Sequence, residues 1–291
     1  DVGLLAVVCI DSTVLGPADG GVRMRPYPSL DDAVADATRL ARAMTRKWAI
    51  AGEPRGGGKA VIVGDPRTDK TPALLDRFAA LVHSLDGAYW AGADMGITLD
   101  DLARLHAVTP YVSTLPERCG GSGDIGPFTT TGVLHAMAAC VGRAFGDPTL
   151  RGRKVALQGL GSCGAAALDQ LVAAGAEVVV ADVDDRRVAD AVARHGVRSV
   201  APDEIDRVSA DVFAPFALGH VIDRQVAERL DVAVVAGSAN NQLTDVDAEA
   251  ALVARGITWA VDVVANAGGA IADAHRLTTG ARHDAALDAK L

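Results

Sequence analysis

Two rhythms of apolar and polar residues divide the chain. In the first, the apolar runs Val2–Ile10, Val61–Val63 and Ala88–Ala93 predict strands. Asp31–Thr45 carries apolar residues at Val34, Ala37, Leu40, Ala41 and Met44, a helical spacing with Asp31 and Asp32 in the first turn. Pro72–Leu85 repeats that amphipathic pattern, Asp11–Gly21 reads as a loop, and Thr129–Phe145 reads as a long helix. A second rhythm begins at Lys154. Strands at Val155–Gln158, Glu177–Ala181, Val212–Ala214, Val232–Ala236 and Ile257–Ala260 alternate with helices at Ser162–Ala174, Arg186–His195, Asp223–Leu230 and Asp245–Arg255. Such alternation predicts a parallel, doubly wound sheet. The chain therefore reads as α/β with two domains, 1–130 and 131–291.

Composition narrows the classes of partner. Hydrophobic residues make up 49% and charged residues 22%, as in a globular chain. A net charge of −9 argues against a broad basic face for nucleic acid. No apolar run approaches a membrane span, and no basic segment precedes Leu4–Ile10 as a signal peptide would require. Cys9, Cys119, Cys140 and Cys163 are scattered without ligand spacing, so no metal is assigned. Free thiols in a reducing, cytoplasmic setting are the expectation.

Two stretches carry candidate chemistry. Gly159-Leu160-Gly161-Ser162-Cys163-Gly164 follows a predicted strand and opens a predicted helix. That context is what a GxGxxG dinucleotide turn requires, with the helix N-terminus offering amides to the phosphates. Asp182 stands at the end of the next strand, where a carboxylate accepts from the ribose hydroxyls and repels a 2′-phosphate. NAD is therefore expected, with Arg186 and Arg187 keeping NADP open. The other stretch runs from Met44 to Lys59. Its second lysine follows Gly56-Gly57-Gly58 and precedes an apolar run, which predicts Lys59 on a tight turn at a strand entrance. Lys47 and Lys59 in one cleft would each disfavour charge on the other, leaving one as a base and one to hold a carboxylate. Solvated lysines on a glycine turn are the alternative; the Ser or Thr that a P-loop needs after the lysine is absent.

With both stretches in view, the sequence resembles the Glu/Leu/Phe/Val dehydrogenases, nearest the leucine, valine and phenylalanine branch. Gly20-Gly21-Val22-Arg23 is similar to that family's GGxR turn, and Met44–Lys59 to its double-lysine segment. Ala93-Asp94-Met95-Gly96, the loop Ala236–Gln242 and Asn266-Ala267-Gly268-Gly269 match further motifs in the family's order. The resemblance implies a substrate domain over 1–130 and a Rossmann-type NAD-binding domain over 131–291, with the site in the cleft between them. It implies reversible oxidative deamination of an L-amino acid to the 2-oxo acid and ammonia. Lys59 would be the general base, Asp94 the proton shuttle and Lys47 the anchor for the substrate carboxylate. Gly20, Gly21 and Asn240 would contact the substrate. Gly159, Gly161, Ser162, Cys163, Gly164, Asp182, Thr129, Ala239, Asn240 and Asn266 would bind cofactor. Read alone, Asp94 could instead cap the following helix, and Asn240 and Asn266 could be turn or cap residues.

Two positions depart from the family pattern. Asp19 and Asp273 stand where the branch places apolar residues against the substrate side chain, beside the small pocket positions Gly92 and Ala270. An unpartnered buried carboxylate is costly, so these predict a polar or cationic substrate side chain, unless the loops have shifted to turn the aspartates to water. The family's usual terminal extensions lie beyond Val2 and Leu291, and a homo-oligomer is the expectation. The alternatives are an enzyme of specialised metabolism that uses the fold for another reaction on an amino-acid-derived substrate, or a non-catalytic ligand-binding homologue.

Overall fold

The computed structural model describes residues 2–291, which divide into two compact units. The first comprises the chain through Ile125 together with Ala270–Lys290; the second is Gly126–Gly269 with Leu291. The segment Ala270–Lys290, expected in the nucleotide domain, thus packs with the first unit. Side-chain chemistry explains the return: Asp273 accepts hydrogen bonds from Thr114 and Ser122, Arg282 pairs with Glu117, and Lys290 pairs with Glu53.

In the first unit the elements are β1 (Ala6–Ser12), β2 (Ala18–Arg25), α1 (Leu30–Ala51), β3 (Gly56–Val63), α2 (Pro72–Ser84), β4 (Tyr89–Gly92) and α3 (Leu99–His106). The sheet order is β1-β3-β2-β4, with β1 antiparallel to β3 and the other pairs parallel. One face buries Val22, Met24, Ala60 and Ile62 beneath Phe78 and Leu102. On the other face α1 lays Ala33 and Ala37 over Val61. Ser29 caps α1 by accepting from Asp32 N, and Gly52 ends it in the left-handed region at φ 68°.

Two expectations fail here for one reason. The Asp11–Gly21 loop gives way to β2, and the glycine turn before Lys59 is the first part of strand β3. Glycine in a strand interior marks close approach by a neighbour. A Cβ on Gly20 would lie 1.8 Å from Gly58 O, and one on Gly57 would lie 2.3 Å from Thr45 N and 2.5 Å from Ala41 O of α1. Lys59 therefore sits inside a strand, held from both sides.

The second unit runs α4 (Gly126–Phe145), β5 (Lys154–Gln158), α5 (Ser162–Ala173), β6 (Glu177–Ala181), α6 (Asp185–His195), β7 (Arg198–Ser199), β8 (Val212–Pro215), α7 (Arg224–Arg229), β9 (Val234–Val235), α8 (Val246–Ala254), β10 (Thr258–Trp259) and α9 (Asp262–Ala265). Its sheet is parallel throughout, in the order β10-β9-β8-β5-β6-β7. The order reverses between β5 and β8, the switch point where such sheets receive dinucleotides. Val155, Leu157, Val180 and Ala214 join Leu168 and Met137 in one apolar layer, and Phe213, Ile222 and Leu252 form the layer on the opposite side. Two further helices, α10 (Gly268–Thr279) and α11 (Ala285–Asp288), complete the chain. Among the described residues, no helix is long and apolar enough to cross a membrane.

Candidate active site

In the first unit, β2, β3 and the turn after β4 bring three charges to one point. Lys59 Nζ lies 2.6 Å from Asp94 Oδ2, and Arg23 Nε donates to the same oxygen at 2.9 Å. The approach is close because Gly21 has no side chain: a Cβ there would lie 2.7 Å from Asp94 Cβ and 2.5 Å from Ala93 O. Asp94 does not cap the following helix. Thr98 does, in a capping box with Asp101. Lys47 is on the last turns of α1 and Lys59 on the adjacent β3, both buried. Trp48 Nε1 donates to Asp19 O at 3.0 Å and ties that end of α1 to β2.

Burial is the largest influence on Lys59 and loosens its proton; Asp94 opposes this and the Arg23 cation adds to it. Arg23 is thus one cation that repels the Lys59 ammonium. Burial would raise Asp94, yet Lys59 and Arg23 overcome it and hold the carboxyl well below the usual carboxylate range. The cluster is an ionised Asp94 gripped by two cations, one of which holds its proton less firmly than an exposed lysine would.

Asp19 and Asp273 are buried rather than turned to water, and both are satisfied. Asp19 Oδ2 accepts from Arg55 Nη1 at 2.7 Å and Oδ1 from Ser113 Oγ at 3.0 Å. Asp273 Oδ2 accepts from Thr114 N at 2.9 Å and Oδ1 from Ser122 Oγ at 2.9 Å. Burial, helped by Asp273 and opposed by Arg55, pushes Asp19 up to about 6; burial likewise raises Asp273. These partners remove the premise behind the cationic substrate, an unpaired buried carboxylate. Gly92 adjoins them, since a Cβ there would lie 3.0 Å from Ser113 Oγ and 3.2 Å from Thr114 Oγ1. Ala270 belongs to α10, one turn before Asp273.

In the second unit the glycine turn has the geometry its spacing implied. Gly159 has φ 97°, and a Cβ on Gly164 would lie 2.0 Å from Gly159 O. Gly161 caps α5 without a side-chain hydrogen bond, and nothing lies within 4 Å of where its Cβ would be. Asp182 Oδ2 accepts from Leu160 N at 2.6 Å and Oδ1 from Asp184 N at 2.9 Å, so it braces the turn. Asn266 Nδ2 donates to Asn240 Oδ1 at 2.8 Å and to Ser238 O at 3.1 Å, while Asn266 Oδ1 is buried without a partner among the described residues. Ala239 N donates to Pro215 O at the end of β8. Thr129 lies in the first turn of α4, and Ser162 and Cys163 open α5. An open helix start, a glycine floor and an unsatisfied amide oxygen fit a nicotinamide dinucleotide.

A parallel sheet of this strand order, with that glycine turn, defines a dinucleotide-binding domain; a buried lysine paired with a half-buried aspartate in the same chain points to acid–base work on a second substrate. Comparison with known proteins makes the class specific. Residues 3–110 match the profile of the Glu/Leu/Phe/Val dehydrogenase dimerisation domain, and residues 181–279 that of Glutamate/Leucine/Phenylalanine/Valine dehydrogenase. The chain is similar to a phenylalanine dehydrogenase of Lysinibacillus sphaericus, at 42% identity over 94% of this chain and 74% of that one. It is similar to a leucine dehydrogenase of Thermoactinomyces intermedius, at 44% identity over 92% and 74%. The crystal structure of L-tryptophan dehydrogenase from Nostoc punctiforme superposes with a TM-score of 0.78 at 34% identity, covering 100% of this chain and 83% of that one. The chain belongs to the Glu/Leu/Phe/Val dehydrogenase family and is an NAD-dependent amino acid dehydrogenase.

Arg23 was quoted as part of a motif but given no role. The signal was its place in GGxR: residues 19, 21 and 23 share one face of β2, so a side chain there points the same way as Lys59 on β3.

Proposed function

We propose that the protein catalyses the reversible oxidative deamination of an apolar L-amino acid, with Lys59, Asp94 and Lys47 as its working groups. The observation that carries this reading is the pair formed by buried Lys59 and half-buried Asp94 at 2.6 Å. Lys47 holds the substrate carboxylate as a compact cation. Bound NAD would supply the acceptor for the hydride that leaves the substrate Cα. Lys59, as the neutral amine, takes a proton from the water that adds to the resulting iminium carbon. Asp94 takes and returns the proton of the amino group, so that ammonia leaves as the 2-oxo acid forms. Gly20 and Gly21 line the substrate's path, and Asn240 orients substrate and nicotinamide ribose. Asn266 and Thr129 meet the nicotinamide. Gly159, Gly161, Ser162, Cys163 and Gly164 meet the pyrophosphate, Ala239 lies along the cofactor, and Asp182 disfavours a 2′-phosphate.

The apolar side chain follows from the partners of Asp19 and Asp273, which leave no carboxylate oxygen awaiting a substrate, and from the leucine and phenylalanine activities named for the relatives. One observation favours a polar or cationic side chain instead: of these two buried carboxylates only Asp19 has a cationic partner, Arg55, while Asp273 is held by hydroxyl and amide donors alone. A panel at the NADH absorbance band separates the two. Leucine, phenylalanine and tryptophan should be turned over faster than arginine, lysine and ornithine, and with NAD faster than with NADP; the reverse order would establish the charged substrate. We further read the chain as a cytoplasmic homo-oligomer, supported by four free cysteines and by the description of its N-terminal profile as a dimerisation domain.

A further inference from the structure

Arg23 does more than fill the fourth position of a glycine turn. Its guanidinium spans two carboxylates, with Nε on Asp94 Oδ2 at 2.9 Å and Nη1 on Asp36 Oδ2 at 3.1 Å. Asp36, on α1, is held in turn: Tyr27 OH donates to its Oδ2 at 2.7 Å, and Arg39 pairs with its Oδ1. The fork is therefore fixed at both ends, and an Arg fork so held is a rigid positioning device. Asp94 Oδ2, the oxygen that meets Lys59, is the one Arg23 takes. Resting on the deamination reading above, we propose that Arg23, braced by Asp36 and Tyr27, is a positioning residue that fixes the Asp94 carboxylate between two cations and sets how firmly Lys59 keeps its proton.

The sign follows from the charges that face Lys59. From β2 comes Arg23, which repels the ammonium and draws on Asp94's charge. From α1 comes Asp36, which favours the ammonium; Lys47 is also buried on that helix. From the turn after β4 comes Asp94, its direct partner. Removing Arg23 leaves Asp94 wholly to Lys59 and tightens the proton. Removing the Asp36 charge loosens it. The guanidinium and the carboxylate that braces it thus act in opposite directions, which a merely structural role would not produce.

Heteronuclear NMR titration of lysine Nζ-labelled protein reads this directly, with the Lys59 resonance assigned by its loss in Lys59→Arg. In Arg23→Gln the Lys59 midpoint should move to higher pH, in Arg23→Lys it should stay near wild type, and in Asp36→Asn it should move to lower pH. In parallel, kcat/KM for deamination by Arg23→Gln should fall about tenfold or more at pH 7 and recover toward wild type as pH rises. An unmoved Lys59 midpoint in folded Arg23→Gln, or an equal upward shift in Arg23→Lys, overturns the proposal. If Arg23→Gln does not fold, Asp36→Asn decides: a downward shift supports the proposal and an unmoved midpoint sinks it. A wild-type protein that forms no NADH from any amino acid would defeat the deamination reading, while the titration would still decide the role of Arg23.

Discussion

The two units use glycine for opposite reasons. In the nucleotide unit Gly159 is needed for its backbone angle, a φ of 97° that side-chain-bearing residues rarely adopt, and Gly161 for open space in front of a helix start. In the first unit Gly20, Gly56, Gly57 and Gly58 adopt no left-handed angle; each is needed because a neighbouring backbone or ring occupies the place of its Cβ. One unit leaves open space in front of an uncapped helix start. The other squeezes strands and a helix together so that Lys59, Asp94 and Arg23 meet in a largely buried cluster. A glycine motif therefore says little until one knows whether angle or space demands it.

That contrast can be pressed by substitution. The largest effect is expected at the charge cluster: Asp94→Asn should lower kcat by about 10²–10⁴-fold, the usual worth of a placed proton carrier, while NAD binding measured by fluorescence stays near wild type. Next comes Gly57→Ala, whose methyl would meet main-chain atoms of α1. It should cost about 3 kcal/mol or more in urea unfolding or prevent folding altogether, since backbone cannot step aside as a side chain can.

Asp19→Asn should show a pH-dependent gain. The folded-state value of Asp19, raised from 3.8 to about 6, means the native protein binds that proton more tightly than the unfolded chain. Its contribution to stability is present below the unfolded value and is lost as pH rises through the folded one. That rise corresponds to about 3 kcal/mol at ~1.4 kcal/mol per pH unit. Relative to wild type, the variant should therefore gain up to that amount between pH 4 and pH 7.5, read by urea unfolding at the two pH values; a constant difference would mean Asp19 is not the strained group. The smallest effect is expected at Gly161→Ala. Its φ of −66° suits alanine and the space is empty, so stability should change little while KM for NAD rises about tenfold.

The same contrast explains what the sequence made legible. The nucleotide unit is built from regular alternation, and its strands, helices and glycine turn fall close to where periodicity put them. The first unit is governed by contacts between residues far apart in the chain. β2 is rich in glycine and polar residues because it is clasped between β3 and β4, so its pattern reads as loop. β3 begins with three glycines because α1 and Tyr89 press on it, so it reads as turn. The return of Ala270–Lys290 to the first unit depends on partners such as Thr114 and Ser122, more than a hundred residues away, which no local pattern announces. Lys59 and Asp94 stand out through motif order, and the structure brings them to 2.6 Å of each other. Arg23 was passed over because its role appears only when both carboxylates it joins are in place. Asp19 and Asp273 stood out as carboxylates at pocket positions, but Arg55 and Ser113, which hold Asp19, and Thr114 and Ser122, which hold Asp273, come from loops far along the chain and could not be paired with them in advance.

The central claim is that Lys59 is a lysine whose proton burial has loosened so that it can serve as a base. The pH profile of kcat/KM for deamination, followed at the NADH band in wild type and in Lys59→Ala, tests it most directly. The account predicts a wild-type rate that rises to a plateau with a midpoint below the ordinary lysine value of 10.5, and a variant that loses that limb and about 10²–10⁴-fold of the rate. A Lys59→Ala protein that keeps the wild-type rate and the same limb would contradict it.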